Sequence, residues 1–216
     1  MLSQLRRIVN KAGPDESFHI IDLCCGKGFL ATLVAVMYPQ FKVTAVDWLE
    51  APFLPHFNEA GILNCDYAIL NVLAPSFSTD VDSLIDEKGG RPAIVLGMHL
   101  CGLLSFRAIQ LLEDLPRVHG LVLSPCCLPN ATMAEGTPSS VYEGKKEVQK
   151  YDRWCDHLET RIFQATEERR DRVAADQEVA IRQECTSFSR RREVEAGIVS
   201  EKRTVLAAFL DGLGEA

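Results

Sequence analysis

The stretch His19-Ile-Ile-Asp-Leu-Cys-Cys-Gly-Lys-Gly-Phe-Leu-Ala-Thr-Leu-Val-Ala35 constrains the fold more than any other part of the chain. An apolar run, Ile20 to Leu23, turns through Gly26 and Gly28 and continues into Phe29, Leu30, Leu33, Val34 and Met37 at helical spacing. That pattern predicts strand, tight turn and helix. A second apolar run, Val43 to Val46, ends in Asp47, 19 residues beyond Gly28. Glycines let a backbone close on a ligand, a helix start offers unpaired N–H groups, and an acid at this distance can accept hydrogen bonds from ribose hydroxyls. The unit suits a cofactor that contains a nucleoside.

Two cofactors compete for it. Gly26-Lys-Gly28-Phe-Leu-Ala31 satisfies the short glycine pattern of NAD binding, which by itself is weak. Asp22, at the end of the first strand, separates the readings. A carboxylate there repels a pyrophosphate and suits a cationic amino group. S-adenosyl-L-methionine carries an ammonium, a sulfonium and a ribose but no phosphate, so Asp22 near its methionine end and Asp47 on its ribose match its charges.

The segment Asp22-Leu-Cys-Cys-Gly-Lys-Gly28 resembles the first motif of class I methyltransferases, with Cys24 where the wider class more often has glycine. The resemblance implies an α/β, Rossmann-like fold: a doubly wound, mostly parallel seven-stranded sheet with helices on both faces.

A chain of 216 residues is long enough for one such domain and short for two. Its 47% hydrophobic and 25% charged residues are those of an ordinary soluble protein. With 30 acids against 23 bases the formal charge is −7, which argues against broad nonspecific nucleic-acid binding but allows a local basic patch. No apolar run nears the roughly 20 residues needed to span a bilayer. The first residues alternate apolar and basic positions without the apolar core of a signal peptide, so a cytoplasmic location is expected, with no membrane partner. Eight cysteines in a chain with nothing secretory about it are expected as free thiols, mostly buried. The adjacent pairs Cys24-Cys25 and Cys126-Cys127 are poorly placed for disulfides within each pair.

Residues 1–17 are expected as an N-terminal helix, 18–129 as the cofactor-binding core, 130–150 as a loop and 151–216 as a helical segment with closing strands, all in one domain. Within the core, Ala51 to Gly61 reads as a helix, Tyr67 to Leu73 as the third strand and Asp80 to Glu87 as a short acidic helix. Ala93 to Met98 and His119 to Ser124 read as buried strands flanking a helix over Leu103–Leu112. Alternation of this kind builds a parallel doubly wound sheet, whose ligands sit beyond the carboxyl ends of its strands. Tyr151 to about Arg182 is helical in spacing, with Trp154, Leu158, Ile162 and Phe163 on one face and a break near Arg169–Asp171. Glu184–Arg190 and Thr204–Leu210 are the expected closing strands.

Strand ends one, four and five are neighbours in the methyltransferase sheet order, which should gather Cys24, Cys25, His99, Cys101, Cys126 and Cys127 at one edge. Thiolates and imidazole are zinc's preferred ligands, but His-x-Cys and Cys-Cys are not the usual knuckle spacing. Packing and pocket lining are therefore expected, with no metal ligands. His99 reads either as a general base or as a residue that shapes its turn. Cys126 or Cys127 could serve as a nucleophile, although neither has a nearby base in sequence. Trp48 could stack beside the adenine or belong to the core, and Asn71 could meet the adenine edge.

His99-Leu-Cys-Gly102 and Ser124-Pro-Cys-Cys-Leu128 carry a second, narrower resemblance, to methyltransferase domains with a His-x-Cys-Gly segment after the fourth strand and Pro-Cys-Cys after the fifth. That group includes the family that 2′-O-methylates the tRNA acceptor stem and several methyltransferase-like proteins. The resemblance extends over about residues 18–210, and it implies RNA, tRNA first, as the acceptor. A protein or small-molecule acceptor, a NAD-dependent oxidoreductase and a catalytically silent interaction module are the alternatives. The oligomeric state is open.

Overall fold

The computed structural model describes residues 1–13, 16–50, 61–130, 137–143, 146–177, 188–194 and 204–210. The strands are β1 (His19–Leu23), β2 (Lys42–Asp47), β3 (Cys65–Ile69), β4 (Ala93–Leu100), β5 (Val118–Pro125), β6 (Phe188–Val194) and β7 (Thr204–Leu210). They lie in one sheet in the order β3-β2-β1-β4-β5-β7-β6. The first five run parallel to one another, whereas β7 pairs antiparallel with both β5 and β6. The sheet is thus mixed, and the reversal of strand order between β1 and β4 places its crevice at the carboxyl ends of those strands.

Helices cover both faces. On one lie α1 (Leu2–Ala12) and α2 (Phe29–Met37), and on the other α3 (Phe77–Glu87), α4 (Leu103–Asp114) and α5 (Glu147–Gln177). Strand alternation decides which side chain meets which layer. Ile20, Val43, Ala45, Ile94, Leu96 and Val122 join Leu5, Ile8, Leu30 and Val34 under the first pair. Ile21, Leu23, Val95, Leu121 and Leu123 join Val81, Leu112, Trp154 and Leu158 under the other three. Burial on both faces explains why these strands are near-continuous apolar runs.

Several boundaries differ from expectation for identifiable reasons. The third strand occupies Cys65–Ile69 rather than 67–73, because Asn71 folds the chain away: its Oδ1 accepts from the Leu73 N–H at 3.0 Å and its carbonyl from the Ala74 N–H at 2.9 Å. The acidic helix begins earlier, at Phe77, which is fully buried. No break interrupts α5 near Arg169; it runs from Glu147 to Gln177. Charged residues there serve packing instead. The buried Arg169 guanidinium donates to the carbonyls of Leu112, Pro116 and Val118, and Arg172 donates to that of Glu113 at 2.6 Å. Arg169 and Arg172 together satisfy the orphan carbonyls at the end of α4 and stitch α5 to the start of β5. Trp154 and Leu158 are core residues as their spacing predicts, while Phe163 is exposed. The strand expected at 184–190 lies at Phe188–Val194, where Arg192 pairs with Leu206. The expected helix at 51–61 falls largely outside the described residues, as do 131–136 and 144–145 of the 130–150 loop; Ser139–Tyr142 in that loop forms a 3-10 turn. Among the described residues no helix is long and apolar enough to cross a membrane.

Candidate functional site

Parity along the strands determines where the two acids go. Asp22 follows Ile20, and Asp47 follows Val43 and Ala45, so both carboxylates fall on the α2 face of the sheet. The Cys24–Gly28 loop joins β1 to α2 directly above them. Gly26 and Gly28 adopt φ of 55° and 67°, left-handed conformations that glycine reaches without strain. A side chain at Gly26 would meet nothing within 4 Å, so the space over the turn is open.

Neither acid is left to solvent. Asp22 is 2% exposed, and its Oδ2 accepts from the Ala31 N–H, in the first turn of α2, at 3.1 Å. Asp47 is 5% exposed and accepts from three backbone N–H groups: Gly26 at 2.9 Å on Oδ2, and Trp48 at 2.8 Å and Leu49 at 3.3 Å on Oδ1. Asp22, expected near the methionine end of the donor, lies beneath the loop, held there by an orphan N–H of the helix start. Burial pushes its carboxyl up to about 7, and the nearby Asp47 charge adds to the effect, while the Ala31 hydrogen bond opposes it.

This arrangement tests which cofactor the turn can hold. A pyrophosphate needs free N–H groups and positive potential at a helix start. Here a buried carboxylate already takes one of those donors and adds negative charge. A cationic, sugar-bearing ligand fits, since a positive group over the loop would offset the buried charge of Asp22 and Asp47. Trp48 is 69% exposed beside Asp47, which removes its core reading and leaves its indole face available for stacking. Asn71 lies exposed past β3, its side-chain Oδ1 already accepting from the Leu73 N–H. Cys24, half-buried with φ of 53°, lines the base of the loop, and burial followed by the Asp47 and Asp22 charges holds its thiol up near about 12.

A second group gathers at the ends of β4 and β5. Leu100 pairs with Pro125, so Cys101 and Cys126 are the next residues on two adjacent parallel strands. The register shifts between Met98 and Leu100, where His99 adopts φ of 61°. Its carbonyl then accepts from both thiols, Cys101 at 3.4 Å and Cys126 at 3.3 Å. The Gly102 N–H donates to the Cys127 carbonyl at 3.0 Å, which ties the two loops together. A side chain at Gly102 (φ 53°) would approach the Pro129 Cα to 3.0 Å, so that closeness requires glycine. The sulfurs of Cys101, Cys126 and Cys127 all lie within 4.8 Å of one another.

The exposed His99 side chain sits at the strand end, where a proton acceptor would be useful. Burial, and after it the neighbouring Cys101 and Cys127 thiols, push the Cys126 thiol up. That makes it a poor nucleophile as it stands. The sequence places these cysteines at one edge, but the close approach of three sulfurs comes from two loops whose proximity is created by strand pairing and by Gly102.

A family model described as a methyltransferase domain matches residues 1–134. No curated protein matches the sequence. Among solved structures, that of the antibiotic-resistance methyltransferase Kmr is similar at 17% identity, over 98% of this chain and 93% of that one, with a TM-score of 0.50. The aminoglycoside resistance methyltransferase NpmB1 is similar at 14% identity, over 98% and 94%, with a TM-score of 0.46. The 23S rRNA methyltransferase ErmE is similar at 11% identity, over 99% and 70%, with a TM-score of 0.45.

Proposed function

The chain belongs to this family of methyltransferase domains, enzymes whose methyl donor is S-adenosyl-L-methionine, and we propose that it transfers the methyl group to RNA, with transfer RNA the first acceptor to test. The dinucleotide reading of the glycine turn gives way to that family match. One observation carries the donor side: an open glycine turn roofs two buried carboxylates that already hold N–H groups at and before the start of α2. For the acceptor side, support comes from the resemblance of His99-Leu-Cys-Gly102 and Pro125-Cys-Cys127 to the motifs of tRNA-modifying relatives. The charge of −7 limits the RNA contact to a local surface.

The donor supplies a methyl carbon on a sulfonium, which leaves as a neutral thioether when the methyl group departs. In this reading Gly26, Gly28 and Cys24 keep the loop low enough for close approach. Asp47 accepts from the ribose hydroxyls, Trp48 stacks on the adenine and Asn71 meets its edge. Asp22 acts from below, its negative charge favouring the cationic end of the donor. His99 takes the proton that leaves the acceptor, while Cys126 and Cys127 line the acceptor side. Orientation accounts for much of the rate, because an in-line displacement demands alignment more than covalent assistance.

Incubating the full chain with a deuterated-methyl donor and separate pools of tRNA, rRNA and cell protein, followed by mass spectrometry, tests the proposal. Label in a tRNA nucleoside is expected. Label in protein alone overturns the RNA acceptor but not the donor. Absence of S-adenosylhomocysteine binding by calorimetry overturns the donor assignments of Asp22, Asp47 and Trp48.

A further inference from the structure

The trio of sulfurs at the ends of β4 and β5 is poorly explained as packing. Cys65 and Cys155 are buried, as cysteines that act as small hydrophobes should be, whereas Cys101 and Cys127 are exposed and Cys126 is half-buried. Two special backbone positions bring them together: His99 sits at φ 61°, where a side-chain-bearing residue is uncommon, and Gly102 holds its contact with Pro129 only for want of a side chain. The Gly102–Cys127 hydrogen bond then fixes the distance between the loops.

We propose that Cys101, Cys126 and Cys127 form a binding site for a thiophilic divalent cation of the Zn²⁺ class. Sulfurs around a tetrahedral zinc ion, at about 2.3 Å from the metal, stand about 3.8 Å apart. The trio already lies within 4.8 Å, so small side-chain rotations of about 1 Å close it on an ion. Soft thiolates select such an ion over magnesium or calcium, which require oxygen ligands. Each thiol gives up its proton to solvent as it takes the metal, and the hydrogen bonds from Cys101 and Cys126 to the His99 carbonyl are exchanged for metal–sulfur bonds. Three protein sulfurs leave the fourth position to a water or another group from outside the trio. The exposure of Cys101 and Cys127 provides the entry path.

The site stands on its own geometry and does not depend on the methyl acceptor. The test uses the full-length chain, reduced and freed of metal by chelation, then titrated with Co²⁺ and Zn²⁺. One equivalent of Co²⁺ should bind with the intense sulfur-to-metal absorption of a thiolate site, and Zn²⁺ should displace it. Cys101→Ser, Cys126→Ser and Cys127→Ser should each weaken binding at least about 100-fold, the upper end of what loss of a merely supporting partner costs. Cys65→Ser, on β3 three strands away from β4, should leave binding unchanged. Circular dichroism of each variant separates loss of the site from loss of the fold; for a variant that does not fold, slower alkylation of Cys127 in the native chain on adding Zn²⁺ is the supporting result. Substoichiometric binding, absence of the sulfur absorption, or equal affinity in the three serine variants and the native chain overturns the proposal.

Discussion

The two tips of the sheet solve the same problem with opposite chemistry. At the ends of β1 and β2, acceptor side chains are the fixed points: Asp22 and Asp47 collect backbone N–H groups and hold the glycine turn in place. At the ends of β4 and β5, a backbone carbonyl is the fixed point: His99 collects two donor thiols. The first tip buries two carboxyl groups, and a carboxylate removed from water loses stability with every partner it gives up. The second leaves weak donors half in solvent, where partners can be exchanged at little cost. Ligand chemistry follows from that difference, with a cation-bearing nucleoside suited to the first tip and a soft ion to the second.

The largest effect expected from testing this contrast concerns Asp22. Its folded-state pKa lies near 7 against 3.8 in the unfolded chain, so the native state binds the extra proton between those values. The stability this contributes is fully present below about pH 4 and is lost as pH rises through 7. Asp22→Asn removes that dependence. The variant should gain on the native chain by on the order of 1 kcal/mol per pH unit across the window, as read by urea unfolding at several pH values. Parallel pH profiles for the two proteins would show that the first tip does not store buried charge.

Next in size, Asp47→Ala leaves the N–H groups of Gly26, Trp48 and Leu49 without their acceptor. Affinity for S-adenosylhomocysteine should fall about 100-fold, or roughly 3 kcal/mol, and calorimetry measures it directly. A fall of less than about fivefold, near 1 kcal/mol, would mean that the loop keeps its shape without the acid. The smallest expected effect belongs to the softer tip. Gly102→Ala forces a side chain against the Pro129 backbone at φ 53°, and should cost about 2 kcal/mol in unfolding free energy. Donor affinity should be unchanged, because the substitution touches none of the hydrogen-bond partners of Asp22 and Asp47.

Much of the first tip was legible from residue order alone. Alternation along Ile20-Ile-Asp22 and Val43-Thr-Ala-Val-Asp47 puts both acids on one face, and Gly26 and Gly28 mark the turn. What order could not convey was how deep Asp22 would lie, since that depends on the Ala31 N–H of a helix start waiting above it. The second tip was legible as cysteines and a histidine gathered at neighbouring strand ends, but not as a set of sulfurs in reach of one another. Its geometry comes from the pairing of Leu100 with Pro125, a bulge at His99 and the bare backbone of Gly102, none of which a spacing rule for metal ligands anticipates. Helix α5 shows the same limit. The charges near Arg169 read locally as a break, but their partners lie more than 50 residues away in sequence, at Leu112, Pro116 and Val118.

That long-range stitching bears on how the molecule forms during translation. The family-matched region ends at residue 134, while Tyr151, whose hydroxyl holds the Pro125 carbonyl at 2.8 Å, and Arg169 emerge later, and β7, which closes the free edge of β5, later still. A nascent polypeptide therefore exposes β5 and its adjoining cysteines as an unfinished edge until β7 has left the ribosome. Oxidation or aggregation during that interval would strike the thiol-bearing end first, whereas every backbone partner of Asp47, Gly26 of the glycine turn included, has emerged by residue 49.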